Sequence, residues 1–232
     1  MSTKNSSEKD LLVASDGRIQ SFSRRNFLGY IGGASALLLT AAACKKDDNN
    51  DNGIDLGSGD VGILNYAYAL EQLEAAFYTK IFEAPYSGIT ASESALLADI
   101  RDHEIAHREF FKSALAGSAI PALTVDFSSI NFSSRDSVLG AAKAFEDLGV
   151  TAYNGAGKLI TNPDYLVLAG KIVSVEARHA AYIRDLISNG SFADNTALDA
   201  NGLDKARTPN EVLTIAGTYL KTKINASNLP TS

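Results

Sequence analysis

Two of the three histidines in the chain follow a glutamate by three residues, Glu104 with His107 and Glu176 with His179. On a helix this spacing sets both side chains on one face, one turn apart. Leu97, Ile100 and Phe111 flank the first pair, and Ile172, Ile183 and Leu186 the second, so each polar pair interrupts an apolar stripe. A carboxylate placed there is buried, and its ionised form requires positive charge nearby. Two more glutamates sit in such stripes, Glu71 in line with Leu64 and Tyr78, and Glu146 in line with Leu139 and Tyr153. The chain reads as an imperfect duplication, with Glu71, Tyr78, Glu104 and His107 in one half and Glu146, Tyr153, Glu176 and His179 in the other. A single cysteine allows neither an internal disulfide nor a thiolate zinc site, so any metal held here is held by carboxylates and imidazoles.

Helices must position these residues. Apolar periodicity predicts a first helix over 61–82, and Thr90-Ala91-Ser92-Glu93 has capping-box spacing for a second that ends near Gly117. Residues 118–133 are too irregular for helix and too long for a tight turn, which makes them a crossover. A third helix is predicted over 134–160. Asn162-Pro163 supplies the cap and first-turn proline of a fourth, ending near Asn189-Gly190. Thr208-Pro209-Asn210-Glu211 opens a short fifth helix to about residue 222. The outline is all-α: a four-helix bundle with one long crossover between the second and third helices, plus a short C-terminal helix.

The N-terminus reads as an address. Ser23-Arg24-Arg25-Asn26-Phe27-Leu28 resembles the twin-arginine export signal, and a charge-free, Gly- and Ala-rich stretch follows over 27–43. Thr40-Ala41-Ala42-Ala43-Cys44 resembles a bacterial lipobox, with Ala41 where a Leu is usual. The expected organisation is a signal over 1–43 with Arg24 and Arg25 as its core, a lipidated Cys44 and polar tether over 44–59, the bundle over 60–190, and a C-terminal loop and helix over 191–232. Asp47-Asp48 resembles a surface-export tag of some Gram-negative lipoproteins. The expected partners are the twin-arginine export machinery and a membrane reached through the lipid. The expected location is beyond the inner membrane, as a periplasmic or outer-membrane lipoprotein. A net charge of −6 gives no footprint for nucleic acid. Gly155-Ala156-Gly157-Lys158 lacks the spacing of a phosphate loop.

The duplicated pattern resembles the ferritin-like superfamily of dimetal-carboxylate bundles. Leu70-Glu71-Gln72-Leu73-Glu74-Ala75-Ala76-Phe77-Tyr78, His103-Glu104-Ile105-Ala106-His107 and Thr208-Pro209-Asn210-Glu211-Val212-Leu213 are similar to the bacterial ferritin-like domain family that includes desiccation-related proteins. The resemblance covers about residues 60–222. It implies that Glu71, Glu104, His107, Glu146, Glu176 and His179 bind two divalent cations, whose charge cancels that of four carboxylates. Oxygen and imidazole ligands suit iron or manganese better than zinc.

Other polar residues receive plainer readings. Glu74, one turn beyond Glu71, competes with it, but the seven-residue spacing to Tyr78 favours Glu71. Glu74, Glu83, Glu93 and Glu109 are assigned to solvent. Tyr78 and Tyr153 read as core aromatics first and as neighbours of the ligands second. His103 has no partner at ligand spacing and belongs at the surface or behind a ligand. Relatives often carry Asp where this chain has His103 and Val175. The expected function is oxygen, peroxide or iron redox chemistry in stress protection; the alternative is a non-catalytic envelope scaffold of the same fold.

Overall fold

The computed structural model describes residues 52–231, so Arg24, Arg25, Cys44 and the segment around them lie outside the described residues. Four long helices carry the fold. Helix α1 spans Gly59–Glu83, and every residue from Asn65 to Ala75 is buried. A helix buried on all sides belongs in the interior, and α1 packs against the second and third long helices and the short C-terminal one. Helix α2, Ala91–Leu115, opens with the expected capping box, in which Thr90 and Glu93 satisfy each other's backbone amides.

Glu93 was expected in solvent and is instead buried. Arg135, the first residue of the third long helix, donates to its carboxylate and also to the carbonyl of Leu186 near the end of the fourth. The cap and the guanidinium together offset its desolvation.

Helix α3 spans Arg135–Gly157 and is capped by Ser134; α4 spans Pro163–Ile187 and is capped by Asn162 with Pro163 at its start, as the spacing predicts. The short α3–α4 connection makes them neighbours, and Asp60 at the start of α1 accepts from the Thr161 and Asn162 amides. Helix α5 is Pro209–Ala216, shorter than predicted because a 3-10 turn over Gly217–Tyr219 ends it.

The crossover after α2 has no helix beyond a 3-10 turn at Ala116–Ser118. Buried side chains of α1 hold it: Asn65 donates to Ser118 and accepts from the Ile120 amide, and Gln72 accepts from the Leu123 amide. The C-terminal segment straps over it, with Asp126 bonded to Tyr219 and Thr124 to Lys221. Strand β1, Ile54–Asp55, pairs in parallel with β2, Ile224–Asn225, and Leu56 is fully buried. The end of the stretch expected as a free tether through residue 59 is therefore packed, because Ile54 and Leu56 supply apolar surface that the preceding Asp/Asn run lacks. Among the described residues no helix is long and apolar enough to cross a membrane.

Candidate metal centre

Each helix of the bundle delivers its glutamate or Glu-x-x-His pair to one interior point. Glu71 comes from α1, Glu104 and His107 from α2, Glu146 from α3, and Glu176 and His179 from α4; all four glutamates are 0% exposed. The polar atoms form two overlapping groups, Glu71, Glu104, His107 and Glu176 on one side and Glu104, Glu146, Glu176 and His179 on the other. Within each group one ligand atom per residue lies within 4.8 Å of the others.

Glu104 and Glu176 belong to both groups and divide their oxygens between them. Glu104 Oε1 lies 2.8 Å from His179 Nδ1 while its Oε2 lies 3.8 Å from His107 Nδ1. Glu176 Oε1 lies 2.8 Å from His107 Nδ1 and its Oε2 lies 3.6 Å from His179 Nδ1. Glu71 and Glu146 each serve one side, 3.4 Å from His107 and His179 respectively.

These atoms are close without being hydrogen-bonded. Glu71 Oε2, both oxygens of Glu104 and Glu176, Glu146 Oε2, and Nδ1 of His107 and His179 are buried with no partner in hydrogen-bond geometry. Buried polar atoms are almost always paired, so eight orphans aimed at one interior volume call for a cation. The remaining oxygens of the two outer carboxylates are occupied. Tyr78 donates to Glu146 Oε1 and Tyr153 to Glu71 Oε1, each phenol reaching across to the other half of the duplication. The eight atoms not tied by a tyrosine are the ones that could bind metal, and an oxygen and imidazole donor set of this kind is compatible with divalent cations.

The electrostatics follow from burial and crowding. Burial, then repulsion from Glu176, pushes Glu104 well above the carboxylate range, while Glu146 is pushed up to about 7 chiefly by burial. Burial acts on Glu176 as well, but the His107 and His179 rings outweigh it and hold that carboxyl low. Burial disfavours charge on both imidazoles, yet the surrounding carboxylates outweigh it and raise each to about 12. Burial and the adjacent carboxylates also raise Tyr78 and Tyr153 well above the usual phenol range, keeping both as donors.

Glu74, assigned to solvent from the sequence, is 3% exposed. Burial first, then repulsion from Glu104, Glu176, Glu71 and Glu146, raises it well above the carboxylate range. An apolar stripe presumes one solvated face, and α1 has none over this stretch: both turns of the helix are enclosed. The signal was present in the lack of any charge but Glu71 and Glu74 between Asp60 and Lys80. His103 is exposed, and its Nδ1 lies 2.9 Å from Nε2 of His179, the ring nitrogen that faces away from the cluster. Glu83 and Glu109 are exposed, as expected.

The ferritin-like domain family matches residues 59–189, more than half of the chain and the whole of the four long helices up to their ends. No curated protein matches the chain.

Proposed function

The chain belongs to the ferritin-like domain family, and on that premise we propose that its centre holds two divalent cations, iron or manganese, and works on dioxygen, peroxide or ferrous iron in protection of the cell envelope. The convergence of eight unpaired buried ligand atoms carries this reading. Four carboxylates with neutral imidazoles hold a charge of −4, which two divalent cations match. Bound there, such cations supply Lewis acidity and one-electron redox chemistry.

The chain's own residues supply geometry and exclusion. Glu104 and Glu176 would offer one oxygen to each side, and Glu71 and Glu146 would offer one oxygen each, with the other fixed by a tyrosine. His107 and His179 present Nδ1. Ile100 and Phe111 on α2 and Ile172 and Ile183 on α4, one turn away on the same faces, are buried and keep bulk water out. The His107 side chain, 14% exposed against 5% for His179, is the ligand closest to solvent and marks the route for a small oxidant.

The twin-arginine-like run and Cys44 support export and lipid tethering to a periplasmic or outer-membrane surface. A scaffold without metal is disfavoured by the same observation, since it buries four carboxylates against only two imidazoles and leaves eight of their atoms without a partner in hydrogen-bond geometry. The test is metal content with ferrous oxidation and peroxide consumption, measured on wild type, Glu104→Ala and Glu176→Ala. Two ions per wild-type chain with turnover, both lost in the variants, is the expected result. Metal-free wild type that neither takes up iron or manganese nor turns over leaves the scaffold. Replacing Arg24 and Arg25 by Lys is expected to retain unprocessed precursor, and normal delivery of that variant rules out the twin-arginine route.

A further inference from the structure

The two halves of the centre match in ligands and differ at two aligned positions. Leu70-Glu71-Gln72-Leu73-Glu74 in α1 corresponds to Phe145-Glu146-Asp147-Leu148-Gly149 in α3, so the counterpart of Glu74 is a glycine. The pair is complementary in space. A Cβ at Gly149 would stand 3.1 Å from Glu74 Oε1 and 3.8 Å from Glu176 Oε2. The glycine clears the room that the Glu74 carboxylate occupies. That room adjoins the Glu176 oxygen that faces His179, not the one that faces His107. Glu74 is 3% exposed, so its carboxyl is enclosed with the cluster.

The second difference falls on the same side. His103-Glu104 in α2 corresponds to Val175-Glu176 in α4. His103 bonds the outward nitrogen of His179, and the two rings lie nearly parallel, 11° apart. An imidazole whose far nitrogen is held in this way is fixed in tautomer and orientation, with its Nδ1 left for a cation. Val175 has no polar group to do the same for His107.

We propose that the two metal positions are unequal: Glu74, seated against Gly149, together with His103 behind His179, makes the Glu104, Glu146, Glu176 and His179 position the tighter one. This rests on the dinuclear reading above. An additional carboxylate beside a cation strengthens its binding, and a fixed second-nitrogen contact raises the basicity of the ligating ring. Glu74 is a positioning and charge-supplying residue for one ion, which the symmetric ligand set alone would not distinguish.

Manganese(II) titration of the purified chain tests this, with free manganese read by electron paramagnetic resonance and folding by thermal unfolding of the same samples. Wild type is expected to bind two ions with dissociation constants about tenfold or more apart. Glu71→Gln should lose the weaker site and keep the tighter; Glu146→Gln should do the reverse. Glu74→Gln should bring the two constants to within about threefold while both ions still bind. Gly149→Ala replaces no ligand and favours the helix, so it keeps the test open if a glutamine variant unfolds; its methyl group meets Glu176 Oε2 only at ordinary contact distance but crowds Glu74 Oε1, which must shift, and the tighter site should weaken. Two equal constants in wild type overturn the inequality, and an unchanged separation in Glu74→Gln and Gly149→Ala overturns its assignment to Glu74; either result leaves the dinuclear reading intact. No manganese bound by wild type overturns both.

Discussion

Tyr78 of α1 donates its hydroxyl to Glu146 of α3, the outer carboxylate of the opposite half of the duplication, and Tyr153 repays the contact to Glu71. The heptad spacing within each helix places glutamate and tyrosine on one face, while the bundle pairs each tyrosine with the glutamate it does not follow. Tyr78→Phe leaves Glu146 Oε1 buried without a donor. The expected cost is about 1–3 kcal/mol of stability by urea unfolding, and about tenfold or more in affinity for one of two manganese ions. An unchanged affinity in both Tyr78→Phe and Tyr153→Phe would reduce the phenols to packing.

Metal binding should release protons. Without a cation the carboxylates hold His107 and His179 at about 12, so both rings are protonated throughout pH 6–8. A cation needs the Nδ1 lone pair and displaces at least one proton per ion. Proton and metal compete, so affinity rises with pH, by about tenfold per unit for each ion. Calorimetric titration in buffers of different ionisation heat measures the release directly; a binding heat independent of buffer contradicts it.

Arg184 of α4 is 2% exposed and makes paired contacts of 2.7 Å to Asp147, the residue after Glu146. It also donates to Asp194 and Thr196, fixing the loop after α4. Asp147→Ala leaves a buried guanidinium held on one edge only, and the expected loss is roughly 3 kcal/mol. Chemical unfolding measures it, and the double variant Asp147→Leu with Arg184→Met should recover much of the loss. If Asp147→Ala costs less than about 1 kcal/mol, the pair contributes no more than an exposed ion pair.

Gly155 is where the C-terminal segment meets α3. A Cβ there would lie 1.7 Å from the Arg207 carbonyl, and the Arg207 amide bonds the Thr151 carbonyl. Gly155→Ala must push residues 206–231 off the helix despite its better helix propensity. Hydrogen exchange should show faster exchange across that segment, with α1–α4 little affected. Unaltered exchange there would mean that the strap docks without this contact.

The sequence made the four ligand-bearing helices legible because each carries a Glu or a Glu-x-x-His pair within an apolar stripe, and the caps it offers at Thr90, Asn162 and, for α5, Thr208 lie in the structure at the helix starts. It also brought together Glu71, Glu104, His107, Glu146, Glu176 and His179, through periodicity and duplication, and the structure places all six around one point. Glu74 escaped because a stripe presumes one solvated face, and α1 has none there. The partner of His103 escaped for another reason: its contact with His179 joins helices α2 and α4, and no spacing within one helix encodes it. The early start of the packed body at β1 depends on pairing with a strand at the other end of the described chain, which local composition cannot reveal.

Anomalous X-ray scattering from crystals of the manganese-loaded chain tests the dinuclear centre most directly. The account predicts two peaks per chain, about 3.5–4 Å apart, with Glu104 and Glu176 touching both, Glu71 and His107 one, and Glu146 and His179 the other. A single peak, or peaks held by exposed carboxylates while the six buried residues bond only to one another, would contradict it.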